Sequence, residues 1–287
     1  MSWTNYHSHT KFCDGTHDPE SYIRSALTRK MPAYGFSGHA PLPFETSWSM
    51  NSADLKSYLD EIVRLKDLYK DTIEIYTGLE IDFMPGHTNP INKKSKELNL
   101  DYTIGSVHYA GIFNNGQYWC IDSTEEEFIN GVDAIFGGKI EPAVKQYFKV
   151  LRDMIKNDCP DIIGHFDKIK LPLIKYFSFD ESTGWYKKEI AETLELIANS
   201  DAIVEINTRG LYKHGINNVY PGKWIVKSMA EMKIPIVLNS DAHKPDEVDS
   251  GFPSVARMLH FAGYDTLFSF IGGEWQEFEF DPNGLKI

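Results

Sequence analysis

The sequence predicts an α/β fold in which a parallel sheet closes, or nearly closes, into a barrel of about seven strand–helix units. Three observations predict it. Short apolar segments alternate with amphipathic helical ones from end to end. No Pro/Gly/Ser-rich linker, internal repeat or low-complexity stretch interrupts them, so residues 1–287 read as a single domain. Finally, residues suited to binding a metal stand at the ends of the apolar segments, and all such ends lie on one face of a parallel barrel.

The elements follow in order. Trp3–Tyr6 is a short strand candidate running into His7-Ser8-His9. Asp18-Pro19-Glu20 is a helix start, a capping Asp before Pro at the first helical position, and the helix extends to about Met31. Ala33–Ser37 is a strand ending in Gly38-His39. Ser52 opens an amphipathic helix with Leu55, Leu59, Ile62, Val63 and Leu68 on one face. Ile73–Leu79 is a strand ending at Glu80, and Tyr102–Val107 is another ending at His108. An irregular stretch spans Tyr109–Ser123. Helices are expected over Glu125–Ile135 and Ile140–Asn157, then a strand over Asp161–Gly164 ending at His165. A helix over Trp185–Asn199 feeds the strand Ala202–Ile206, which ends in Asn207-Thr208-Arg209. A helix over Gly222–Met232 feeds Ile234–Leu238, which ends in Asn239-Ser240-Asp241-Ala242-His243. Pro253 starts a last helix that Gly263 caps, and Thr266–Phe280 adds one or two strands or an extended wrap.

Composition bounds the function. A hydrophobic share of 42% and a charged share of 24% are ordinary for a folded chain with a sizeable core. The net charge of -12, with no Lys/Arg-rich run, argues against a general duplex-binding surface. It leaves an anionic substrate open, because bound divalent ions dominate the local charge of a site. Met1–Asn5 is too short and polar for a signal peptide, and no apolar run approaches membrane-spanning length. Cys13, Cys120 and Cys159 are odd in number and form no C-x-x-C pair, so a reducing cytoplasm without disulfides is expected. Cys13 lies among the ligand candidates and is read as a packing residue.

The chemistry sits at the strand ends. His7 and His9 are two apart, a spacing that puts side chains on one side of a strand but not of a helix. His39, Glu80, His108, His165, Arg209 and Asp241 each fall at or just past another strand end. Nitrogen and oxygen donors without thiolate suit Zn, Mn or Fe. There are more donors than one ion needs. His7, His9, Glu80 and Asp241 suit a first ion, Glu80 bridging to a second on His108 and His165, and Asp14, His39 and His243 a third. Closely spaced ions of this kind clamp the attacking and leaving oxygens of a phosphoryl transfer. Arg209 is the residue for phosphate, since its fork binds it bidentately. Lys168 and Ser106 are further substrate-binding candidates.

The stretch His7-Ser8-His9-Thr10 followed by Cys13-Asp14-Gly15 resembles the opening motif of the PHP (polymerase and histidinol phosphatase) superfamily. Gly38-His39, Gly78-Leu79-Glu80, Ser106-Val107-His108, Ile163-Gly164-His165 and Ser240-Asp241-Ala242-His243 match the rest of its pattern in order, over nearly the whole chain. His39–Pro43 and Glu205–Leu211 resemble the histidinol-phosphate phosphatase branch. The resemblance implies a distorted (β/α)7 TIM-like barrel, three divalent metal ions, and hydrolysis of L-histidinol phosphate in histidine biosynthesis. In that reaction a hydroxide bridging two ions attacks phosphorus, and Asp241 or His243 passes a proton to the leaving alkoxide. One departure is His17, where branch members often place a histidine nearer Cys13. Either Asp14 or His17 is then a ligand of the third ion. Asp14 matches the wider superfamily, which leaves His17 to face the phosphate.

The expected partner is a small phosphate ester, with neither nucleic acid nor membrane. The rival expectations are a related phosphoesterase acting on nucleotides or phosphotyrosine, a carboxylated-lysine amidohydrolase, and a non-catalytic scaffold. Glu80 at the bridging position disfavours the second, and the full donor set disfavours the third. His87, His214 and His260 are read as loop or helix residues without a role in the site.

Overall fold

The structure is a computed structural model describing residues 2–84, 90–215 and 219–287; His87 lies outside them. The first strands in chain order are β1 (Ala33–Phe36), β2 (Glu74–Asp82), β3 (Tyr102–Ser106), β4 (Tyr109–Ile112) and β5 (Tyr118–Cys120). They are followed by β6 (Ile162–Ile163), β7 (Ile203–Asn207) and β8 (Ile236–Asn239). Six of these form a parallel sheet in the order β1-β2-β3-β6-β7-β8, and β4 and β5 pair as a separate hairpin.

The N-terminal segment supplies the seventh position. Asn5 bridges Tyr34 of β1, and Ser8 bridges Ala242 just past β8, both in parallel sense. Backbone bonds run from Gly35 N to Asn5 O (2.8 Å) and from His9 N to Ala242 O (2.8 Å). The sheet thus curls until its two edges meet through residues 5–9, giving the distorted TIM-like α/β barrel. The expected regular strand at Trp3–Tyr6 is replaced by single bridges. Side chains complete the ladder instead: Tyr6 N donates to Asn239 Oδ1 (2.8 Å) and Ser240 N to Asn5 Oδ1 (3.0 Å).

The helices are α1 (Pro19–Thr28), α2 (Leu55–Tyr69), α3 (Ile91–Leu98), α4 (Glu125–Phe136) and α5 (Ile140–Asn157). They continue as α6 (Lys170–Tyr176), α7 (Gly184–Ala198), α8 (Arg209–His214), α9 (Lys223–Glu231) and α10 (Phe252–Ala262). Asp18 is the residue before α1, but its carboxylate pairs with Lys11 rather than capping the helix. On α2 the buried stripe is Tyr58, Ile62 and Leu65, whereas Val63 and Leu68 are 55% and 56% exposed, against expectation. The helix starts at Leu55 rather than Ser52, and a stripe through Ile62 leaves residues one and six positions on facing water. The chain ends in a small antiparallel sheet, β9 (Thr266–Ile271), β10 (Glu274–Asp281) and β11 (Gly284–Leu285).

The stretch expected to be irregular holds the β4–β5 hairpin, turned by Asn115-Gly116 with Gly116 at φ 86°. Asn-Gly between apolar runs is the short-range signature of a hairpin. The unpredicted α3 is polar along most of its length and is started from a distance, with Asn92 N donating to Asp158 Oδ1 (3.1 Å). One large apolar cluster fills the space between sheet and helices, and a second lines the barrel interior. Among the described residues no helix is long and apolar enough to cross a membrane.

Candidate metal centre

Glu80 lies within β2, two residues before its end, and is the hub of the site. Its Oε2 is 2.9 Å from His39 Nδ1, 3.2 Å from His7 Nε2 and 3.5 Å from His9 Nε2. Its Oε1 is 3.0 Å from His165 Nε2 and 3.8 Å from His108 Nε2. Asp241 approaches from past β8, with Oδ1 at 3.2 Å from His9 Nε2, 3.4 Å from His243 Nδ1 and 3.8 Å from His7 Nε2. Its backbone holds φ 53°, a left-handed conformation that Asp tolerates better than most residues. Asp14 Oδ2 is 3.0 Å from His243 Nε2, while its Oδ1 is 3.7 Å from His9 Nδ1 and 3.8 Å from His39 Nε2.

Among the described residues donor atoms converge in three groups, each within 4.8 Å: His9, Asp14, His39 and His243; His7, His9 and Asp241; His39, Glu80 and His108. All the expected ligands therefore meet on one face, but the partition differs from the expected one. His9 and His39 each belong to two groups, and His165 reaches Glu80 without joining the group of His108. The reason is central position. The His9 ring lies 4.2 Å from both the His39 and the His243 rings, so its two nitrogens face different neighbours.

The geometry separates Asp14 from His17. Asp14 joins a donor group, whereas His17 is exposed and shares a hydrogen bond with Thr16 Oγ1 (2.7 Å). Ser106 departs from its expected substrate role. It is fully buried and donates to Glu80 Oε1 (2.6 Å), fixing the hub. Lys168 is also buried, with Nζ 3.0 Å from Asp122 Oδ2. Arg209 opens α8, donating from Nη1 to Asp241 O (3.0 Å) with Glu247 at 3.8 Å. Cys13 stays out of the donor groups among the described residues, and burial and Asp14 push its thiol up to about 12.

Burial and mutual charge set the protonation states. Burial, reinforced by the charges of His39 and His243, drives His9 down to about 3, keeping it a neutral imidazole. Burial opposes charge on His108, but Asp82 overrides it and raises the ring to about 9. Burial also opposes ionisation of Glu80 and Asp241, yet the surrounding cations hold both well below the usual carboxylate range.

Whether this cluster suits a divalent ion is tested by its leftover hydrogen-bonding capacity. His7 Nε2, His9 Nε2, His39 Nδ1 and Asp241 Oδ1 are buried and make no hydrogen bond among the described residues. Buried polar atoms are almost always satisfied, and here several unsatisfied ones face one another. Imidazole nitrogens and carboxylate oxygens in this arrangement fit zinc-like ions.

Several residues that complete the site were not predicted. Asp82 accepts from His108 Nδ1 (2.8 Å), and Trp48 packs edge-on against His39 (4.5 Å) and His108 (5.4 Å). Glu205, buried in β7, lies 2.6 Å from His7 Nδ1. A carboxylate between Val204 and Ile206 in an apolar strand was the available signal for it.

The sequence matches the PHP domain over residues 5–209. It is 28% identical over 266 residues to a protein of Deinococcus radiodurans described as a probable histidinol-phosphatase, covering 91% of this chain and 94% of that one. It is 29% identical over 257 residues to the histidinol-phosphatase of Bacillus subtilis, covering 84% and 94%. The solved structure of histidinol phosphate phosphatase from Lactococcus lactis, complexed with zinc, L-histidinol and phosphate, superposes with a TM-score of 0.72 at 22% identity, covering 96% of this chain and 99% of that one. That structure shares the fold.

Proposed function

The chain belongs to the PHP domain family, and from that premise we propose that it is a metal-dependent histidinol-phosphatase, converting L-histidinol phosphate to L-histidinol and phosphate. The observation that carries the reading is the set of buried, hydrogen-bond-free nitrogen and oxygen donors around Glu80 and His9. His7, His9 and Asp241 would hold one ion. Glu80, His39 and His108 would hold a second, with His165 beside the same Glu80 oxygen as His108. Asp14 and His243 would hold a third, with the rings of His9 and His39 beside them; a neutral imidazole has one lone pair, so each of those rings serves a single ion. Bound divalent ions supply Lewis acidity, which lowers the pKa of water to near neutrality and offsets phosphate charge.

The chain's own residues do the rest. Arg209 is held by the Asp241 carbonyl, at the lip of the donor cluster, where a guanidinium orients a phosphate. Lys168 adds positive charge: burial would discharge its amine, but Asp122, Tyr220 and Asp241 hold it above its ordinary range. His243 stands between Asp14 and Asp241, so either His243 or Asp241 passes the proton to the leaving alkoxide. Trp48, half-buried beside His39 and His108, offers a ring to the imidazole of the leaving group.

The test is steady-state kinetics on zinc-loaded protein with L-histidinol phosphate, an aryl phosphate and a nucleoside monophosphate. The kcat/KM for L-histidinol phosphate is expected to lead by well over tenfold, more than about 1.4 kcal/mol in transition-state binding. Equal rates across the panel would assign the chain to a different phosphomonoesterase.

A further inference from the structure

The geometry points to Glu205 as a positioning residue that holds His7, His165 and Asp241, residues beside two of the proposed ions, through one carboxylate; this rests on the metal-binding part of the proposed function. Glu205 is fully buried in β7 between Val204 and Ile206. An ionised carboxylate there is tolerated only if its lone pairs are fully used. They are. Oε1 lies 2.6 Å from His7 Nδ1 and accepts from Asn239 Nδ2 (3.1 Å). Oε2 accepts from the His165 backbone amide (2.9 Å) and from Asn207 Nδ2 (3.0 Å). With four partners in place, Glu205 has no capacity left to bind an ion or carry a proton. Its effect passes through the groups it holds.

Those groups reach three ligands. His7 must carry its proton on Nδ1 to donate to Glu205, which leaves the Nε2 lone pair facing Glu80 and Asp241 at 3.2 and 3.8 Å. The His165 amide fixes the chain beneath a ring whose Nε2 is 3.0 Å from Glu80. Asn207 uses the same amide group to donate to Asp241 Oδ2 (3.1 Å), leaving Oδ1 for the cluster. Asn239 adds a fourth arm, because its Oδ1 takes Tyr6 N and so ties down the segment carrying His7. Asp82 offers the contrast. Among the described residues its side chain holds only His108, through the ring (2.8 Å) and the amide (3.1 Å) of that one residue.

The two backing carboxylates therefore differ in how many ions they reach. Partners of metal-bound histidine typically change metal affinity by roughly ten- to a hundredfold when removed. Glu205→Gln should weaken zinc by about that factor at both the ion on His7 and Asp241 and the ion on Glu80. Asp82→Asn should weaken only the ion on His108. The experiment titrates metal-free wild type, E205Q and D82N with zinc against a chromophoric chelator and records the thermal melt of each metal-free protein. Glu205→Asp is the reserve should E205Q fail to fold. It keeps the charge but withdraws it from His7 by one methylene, and it should lose zinc affinity in the same two places. Two weakened ions in E205Q, or in E205D, against one in D82N supports the assignment. Wild-type zinc affinity with a lowered melting temperature makes Glu205 a structural buried charge and overturns it, as does loss of one ion only. A wild type that binds zinc but leaves L-histidinol phosphate intact sinks the proposed activity without touching Glu205.

Discussion

The barrel interior has two ends, both filled with buried rings, and they treat their polar atoms in opposite ways. At the end away from the donor cluster, Tyr6, Tyr76, Tyr102, Phe270 and Trp275 pack together. Each hydroxyl there is used. Tyr6 Oη donates to Phe270 O (2.9 Å), and Tyr102 Oη lies 2.5 and 3.0 Å from the carbonyls of Tyr6 and Phe36. Tyr76 Oη donates to Glu74 and accepts from Gly273 N (3.1 Å). At the other end the rings are histidines, and Nε2 of His7 and of His9 makes no hydrogen bond among the described residues. Burial alone does not mark the functional end, because both ends are buried. What differs between these two ends is hydrogen-bonding capacity left unspent on nitrogen and carboxylate atoms that face one another.

The sharpest way to break that comparison is to remove what the histidine end is built to hold. Chelation, or Glu80→Gln, should leave a folded barrel, since the tyrosine end does not depend on the donor cluster. Activity should fall by roughly a thousandfold or more, the scale on which charge neutralisation supports phosphoryl transfer. Circular dichroism paired with kinetics checks it; unfolding on chelation would mean that the two ends are not independent. Next comes Arg209→Met, expected to cost roughly a hundred- to a thousandfold in kcat/KM with zinc content unchanged, and Lys should rescue only in part. Zinc analysis beside the kinetics decides it. Near-normal turnover would place Arg209 among the residues that merely brace Asp241.

His39 sharpens the picture further. Read from sequence, it serves the third ion alone, so His39→Asn should release a single ion. Its place in two donor groups widens that expectation: a neutral imidazole ligates through one nitrogen, so His39→Asn should release one ion, and adding Asp14→Ala should release no further ion if His39 serves the third and a second ion if it serves the one on Glu80. Elemental analysis of both variants separates the readings.

How much of this was legible beforehand follows from which interactions are local. The strand ends could be read because apolar runs stop abruptly at His39, His108, His165 and Asp241, and a parallel barrel sends all those ends to one face. The partition among ions could not be read, because it depends on ring positions set by closure of the barrel through residues 5–9. Glu205 and Asp82 act on histidines that are far away in sequence or lie just past a neighbouring strand, so spacing carries no trace of them. The β4–β5 hairpin is different. Its Asn115-Gly116 turn was present in the sequence and was simply outweighed by the weak alternation around it.

At the tyrosine end the matching perturbation is Gly78→Ala. A Cβ there would stand 2.6 Å from Tyr102 Cζ, inside the ring packed against β2. Overpacking of this kind costs about 1–3 kcal/mol. Denaturant unfolding of the metal-free protein should show that loss, while zinc affinity stays as in wild type. A drop in zinc affinity would mean that strain at one end reaches Glu80 along the strand.

The smallest effect belongs to neither end and sets the floor for both. Glu20 on α1 accepts from Arg24 (2.7 Å) and from Arg64 of α2 (2.8 Å), with Tyr69 at 3.2 Å. These bonds, Arg24 first, lower its carboxyl to about 2. A carboxyl lowered in the folded state stabilises above its ordinary value of 4.5, and the contribution is lost as pH falls toward about 2. The groups are exposed and screened by solvent, so the contribution should be small. Unfolding of metal-free wild type and Glu20→Gln should therefore differ by a small constant above pH 4.5, and the two curves should converge below it. Raising the salt concentration should shrink the gap. If the difference instead grows in acid, Glu20 is not acting as an ionised partner of α2, and the helices are joined there by packing alone.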